Sequence, residues 1–121
     1  MNTNALAERV AILLATKCPR VYRDKPKDNP TFPFIVFSFR TVVSNPPSVD
    51  YNLFIDIFDN AGKSAREIEN IADSIEMLNN HIIFDDILNA NFMFESRQFV
   101  ANSDLISAQA ISIDFRIRTY Q

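Results

Sequence analysis

Glycine is almost absent: Gly62 is the single glycine in 121 residues. That leaves no room for a Gly-rich loop cradling phosphates, nor for a barrel with many tight corners. Tryptophan is missing, and histidine and cysteine occur once each, as His81 and Cys18. A lone cysteine makes no internal disulfide, which fits a reducing compartment. No apolar run approaches the roughly 20 residues that span a bilayer as a helix. The start, Met1-Asn2-Thr3-Asn4, has neither a basic segment nor a long apolar core, so no signal peptide is expected. Basic charge is scarce too. Twelve Lys and Arg against 15 Asp and Glu give a net charge of −3, with a pI near 5.0. Tight nucleic-acid binding needs a basic patch to displace counterions, so charge gives no case for it.

Phenylalanine is plentiful, with 11 Phe and 3 Tyr, and 47% of the chain is hydrophobic. A chain of this length is expected to be one domain, residues 1–121, burying roughly two-thirds of its unfolded surface. The clearest signal lies between Asp50 and Asn80. Tyr51, Leu53, Ile55 and Ile57 alternate with Asn52, Phe54, Asp56 and Phe58, the period of a strand with two distinct faces. Ser64 and Glu67 then match a capping box, and Ile68, Ile71, Ala72, Ile75 and Leu78 recur at helical spacing.

Leu6, Val10, Leu13 and Leu14 predict a first helix, capped by Thr3 or Asn4 and ended by Cys18-Pro19. Arg20 to Pro30 reads as a polar loop. Phe32 to Thr41 reads as a strand with Pro33 at an edge. Ser44-Asn45-Pro46-Pro47-Ser48 follows, either as an exposed loop or as an arm continuing the flanking strands. His81 to Ala90 is ambiguous, its Ile82, Ile83, Phe84, Ile87 and Leu88 being compatible with a short helix packed on the core. Asn91 to Asn102 reads as a strand in which Phe92 and Phe94 share one face and Phe99 the other, which predicts a bulge. Asp104 to Ala108 reads as a turn. Gln109 to Tyr120 alternates cleanly, with Ile111, Ile113, Phe115 and Ile117 inward and Ser112, Asp114, Arg116 and Arg118 outward. The expected fold is therefore α+β: a roughly four-stranded, mainly antiparallel sheet with two main helices on one face, in the order α-β-β-α-β-β.

Candidate chemistry is thin. His81 has no nucleophile or orienting carboxylate at a telling spacing, and suits a helix end. Cys18 lies near Lys17 and Arg20, but against Pro19 at a helix end it reads as structural. Asp56, Asp59 and Glu67 could serve a metal-dependent nuclease, but the acidic-x-Lys strand such a site needs is missing. No catalytic, metal or cofactor residue is expected, and the chain is not expected to be an enzyme. The apolar side chains stand out more. Phe34, Val36, Phe54 and Phe58 fall on strand faces pointing away from the helices, beside Asp56, Arg40, Asp114, Arg116 and Arg118. A contiguous apolar patch there would mark a protein contact.

In this arrangement the chain resembles the small tail terminator, or tail completion, proteins of tailed bacteriophages and prophages. The resemblance is carried by the first helix, by Val21-Tyr22 ahead of a proline-bearing loop, and by Phe32-Pro33-Phe34-Ile35-Val36-Phe37. It continues through Leu53-Phe54-Ile55-Asp56-Ile57-Phe58, the helix Ala65 to Leu78 with its Ile71-Ala72-Asp73, and the strand Ile111 to Arg118. It implies a structural neck subunit in the virion, assembled in the bacterial cytoplasm. Such a subunit forms a homo-oligomeric ring, commonly hexameric, that caps the tail tube and meets the head-side connector. DNA passes its lumen without specific binding, and neither a membrane nor a cofactor is involved. The implied subunit-interface candidates are Phe34, Val36, Phe54 and Phe58, the loop residues Asn45, Pro46 and Pro47, and Arg116 and Arg118. From the residues alone, a small α+β ligand- or peptide-binding regulatory domain without catalysis stays open as an alternative.

Overall fold

In a computed structural model, residues 3–45, 48–60, 62, 64–86, 88–103 and 108–120 are described, the side chains of 42–45 and 101–103 excepted. The elements run α1 (Thr3–Ala15), β1 (Val21–Arg23), β2 (Phe34–Asn45), β3 (Ser48–Asn60), α2 (Arg66–Glu76), β4 (Ile82–Phe84), β5 (Asn89–Ser103) and β6 (Ala108–Tyr120). They form one six-stranded mixed sheet in the order β1-β2-β3-β6-β5-β4, curled into a half-barrel. This corrects the expected sheet of roughly four strands: there are six among the described residues, and one of the five pairings, β1 with β2, is parallel. Val21–Arg23 lies inside the stretch expected to be a loop, yet it pairs in parallel with Ile35–Phe37. Ile82–Phe84, in the segment the sequence leaves ambiguous, pairs antiparallel with Asn89–Asn91.

The long strands follow their side-chain periods. Along β3, Tyr51, Leu53, Ile55 and Ile57 are buried, as are Ile111, Ile113, Phe115 and Ile117 along β6. The two strands match residue for residue, from Ser48 opposite Tyr120 to Asn60 opposite Ala108. A register shift between Phe94 and Ser96 realises the expected bulge in β5. It brings Phe92, Phe94 and Phe99 to one face, opposite Ile117, Phe115 and Ile111. The β2–β3 ladder continues to the pair Asn45 and Ser48, so the strands do extend as an arm. Pro46 and Pro47, and most of the expected turn at 104–108, lie outside the described residues.

Both helices pack into one core on the buried face. α2 contributes Ile68, Ala72 and Ile75, and Arg97 of β5 ties to it through Asp73 (2.7 Å) and Glu76 (2.5 Å). Its N-cap is Ala65 rather than Ser64, whose hydroxyl instead accepts the Arg66 N–H at 3.2 Å. α1 buries Leu6, Ala7, Val10 and Leu14 across the mouth of the curl. On one side the Arg23 guanidinium of β1 donates to the Asn4 side-chain oxygen at 3.0 Å; on the other, Arg9 pairs with Asp85 beside β4. The helix thus bridges the two edges of the sheet. Among the described residues no helix is long and apolar enough to cross a membrane.

With glycine so scarce, the left-handed backbone positions fall to Asp24, Asn29 and Asn80, at φ of 69°, 51° and 67°. Asx side chains tolerate that region better than other non-glycine residues. Asn80 turns the chain from α2 into β4, its N–H donating to the Phe92 carbonyl at 2.8 Å. Asn80→Ala should therefore cost about 1–2 kcal/mol in urea unfolding, while Asn80→Gly, free of the Cβ clash, should cost little or nothing.

Candidate subunit interface

The face of the sheet turned away from the helices carries most of the expected interface residues, but in a different order from a single apolar patch. Phe34 and Phe58 are directly opposite in the β2–β3 ladder; Val36 faces Asp56, and Phe54 faces Ser38. Asp56 therefore interrupts the patch, accepting the Ser112 hydroxyl at 2.6 Å. Phe34 is completely buried, which corrects its expected place on an open surface. It stacks on Phe58 at 5.1 Å between centroids and on Phe32 at 5.5 Å, with Tyr22 edge-on at 6.0 Å. Residues just before β2 and in β1 fold over it, so it acts as a small second core. Val36, Phe54 and Phe58 stay half-buried, and the Arg40 guanidinium lies 5.7 Å from the Phe54 ring centre. Pro46, Pro47 and the side chain of Asn45 lie outside the described residues.

Arg116 and Arg118 are brought together by Asp50, which sequence reasoning did not single out. The Asp50 carboxylate is almost fully buried. It accepts from Arg116 Nε at 2.9 Å, and from Arg118 Nε and Nη2 at 2.9 and 3.1 Å. The β3–β6 register makes this clasp, placing Asp50 beside Arg118 and Asn52 beside Arg116. The Arg118 hydrogen bonds, then those of Arg116, hold the Asp50 carboxyl below the usual carboxylate range against the opposing effect of burial. Asp50 in turn raises the Arg118 guanidinium further above its ordinary value. With Asp56, Asp114 and Arg40, the open face is an ionic surface with half-buried rings set into it.

The residues considered for chemistry are dispersed. Asp56 points to the open face, while Asp59, three residues on, is fully buried on the helix side; Glu67 is exposed on α2. Asp59 Oδ1 accepts the Asn60 N–H at 2.8 Å, and among the described residues Oδ2 is buried without a hydrogen-bond partner. Cys18 is buried, with its thiol directed at the Arg20 and Pro33 carbonyls (3.7 and 3.6 Å); burial pushes that thiol up. His81 sits edge-on to Phe92 at 5.7 Å. Among the described residues no group of three His, Cys, Asp or Glu gathers to hold a metal ion.

The largest exposed apolar side chains lie elsewhere. Ile12 of α1 and Ile82 of β4 are each 62% exposed, and Phe84 of β4 is 77% exposed. Together they border a groove of about 290 Å³ between α1 and the β4 edge. A second groove, about 430 Å³, runs between α1 and the β1 edge over Ala7, Ala11, Val21 and Phe37. The sequence signal for the first was the apolar run Ile82-Ile83-Phe84, too short to separate a strand from a helical turn.

The Asp50 clasp sets an acid limit on stability. A carboxyl held low in the folded state stabilises at pH above its unfolded value, and that stability is lost as pH falls through the folded value. Thermal melts of the wild type should therefore lose stability below about pH 4. Asp50→Asn should lower stability at neutral pH by roughly 1–3 kcal/mol, and the difference should shrink as pH falls through that window.

No family model matches this chain, and no curated protein matches it significantly. Solved structures do. One chain whose name states no function shares the fold at a TM-score of 0.72 and 12% identity, over 98% of this chain and 93% of its own length. A chain from the virion of a native gene transfer agent particle shares it at a TM-score of 0.64 and 13% identity, over 93% of this chain and 88% of its own. The fold built by these six strands and two helices is thus one that a virion particle contains.

Proposed function

We propose that this chain is a structural virion protein, a neck or tail-terminator subunit that assembles into a closed ring. The ring caps the tail tube and meets the head-side connector, and the subunit performs no turnover. The observation that carries this reading is the fold shared over nearly the whole chain with a component of a gene transfer agent virion. The character of the surfaces supports it. The open face has salt-linked rows with Val36, Phe54 and Phe58 half-buried among them, a texture suited to contact with another folded protein. A net charge of −3 suits a passage through which DNA slides without being gripped. In this role Arg116 and Arg118 keep the open face rigid through Asp50, and Phe54 and Val36 meet the neighbouring component.

The test is affinity capture of tagged protein from an induced or infected bacterial host, with mass spectrometry of the partners. The wild type should recover tail-tube and connector proteins. Phe54→Asp should fold with an unchanged circular dichroism spectrum, since its ring is only half-buried, and recover at least tenfold less of them, a loss on the scale of an interface aromatic. Capture of host enzymes or regulators alone would overturn the reading and point to a regulatory binding domain.

A further inference from the structure

The two edges of the sheet are complementary to each other. β1 and β4 are each three residues long, and each is flanked by α1 across a groove. The ladder pattern leaves alternate backbone groups of both pointing outward. In β1, Arg20 accepts from Ile35 and Asp24 donates to Phe37, so Arg20, Tyr22 and Asp24 bond inward; Val21 and the Arg23 N–H face out, the Arg23 carbonyl accepting from the Lys25 N–H at 2.8 Å. In β4, His81 accepts from Phe92 and Asp85 donates to Leu88, so Ile82 and Phe84 face out.

Side chains match as well. The β4 edge presents a knob, the highly exposed Phe84, with Ile82 and Ile12 beside it. The β1 edge presents a hollow, a groove of about 430 Å³ floored by the small residues Ala7 and Ala11 with Val21 and Phe37. Charge follows the same sense. Around β1, Arg20, Arg23, Lys25 and Lys27 outnumber Asp24, Asp28 and Glu8; around β4, Asp85 and Asp86 outnumber Arg9.

We infer that the β4 edge of one copy docks against the β1 edge of a second copy, with Phe84 seated in the groove between α1 and β1. The occupant is a second copy of this chain because both halves of the match lie on one molecule. A contact joining unlike patches repeats head to tail and closes into a ring when its rotation permits. The inference rests on the ring reading above and assigns its lateral contact to the sheet edges, leaving the open face for the neighbouring component.

Cross-linking tests it. Asp86→Cys and Glu8→Cys, both at exposed positions and both leaving Phe84 in place, are prepared in the full chain and treated with a short bismaleimide at millimolar protein; buried Cys18 stays unreactive. The mixture should yield covalent dimers that neither variant yields alone, and the double variant should yield a ladder of higher species. Phe84→Lys should weaken self-association in sedimentation by roughly 10–100-fold, the range of an interface hot spot, while Phe84→Leu should largely retain it. Dimers of Asp86→Cys with itself would overturn the inference in favour of a two-fold contact. Oligomers by sedimentation with no mixed product would overturn the edge contact and leave the ring reading standing. A monomer with no product at millimolar protein would overturn the edge contact outright, and the host capture experiment would then judge the virion role on its own.

Discussion

The antiparallel match between β3 and β6 is the constraint on which the rest depends. Thirteen consecutive residue pairs run without a break, from Ser48 and Tyr120 to Asn60 and Ala108. A slip of β6 by one residue would turn Ile111, Ile113 and Ile117 toward the open face and Asp114, Arg116 and Arg118 toward the helices. The register is held on both faces at once. Ile55 meets Ile113 and Leu53 meets Phe115 under the helices, while Asp50 reaches Arg116 and Arg118 on the other side. Burying those apolar columns is the dominant favourable contribution, and the ionic clasp mainly selects which register obtains it.

The curl of the sheet follows from the placement of α1. An open sheet of six strands has two edges, and here one helix reaches both of them, tied to β1 through Asn4 and Arg23 and to β4 through Arg9 and Asp85. Its inner side fills the core with Leu6, Val10 and Leu14, while Ile12 stays outside. The edges are only three residues long, which limits uncontrolled pairing.

How much of this was legible in the sequence depended on how local the cause was. The alternation of β3 and β6, the helical stripe of α2 and the bulge in β5 are local patterns, and each appears where the residues indicated. β1 was missed because Val21 and Tyr22 stand among prolines and charges, and their parallel partner comes only after the intervening loop. β4 was missed because three residues carry no period. Phe34 was assigned to the correct face but the wrong exposure, since its burial is supplied by Phe32 and Tyr22, which no periodicity places over it. Asp50 passed unnoticed at a strand start because its role exists only in the register.

The position of β6 bears on how the chain comes to fold. It is the last of the six strands in chain order and yet lies between β3 and β5. Before it inserts, the sheet is two disconnected halves: β1, β2 and β3 in one, β5 and β4 in the other. α1, though it precedes them all in chain order, has no continuous seat. Such long-range closure is slow and exposes long apolar strand margins while it waits. During synthesis, everything up to Ser103 therefore remains a candidate for chaperone holding. The molecule commits to its structure only when the segment Ala108–Tyr120 has left the ribosome, so folding comes late and all at once rather than element by element.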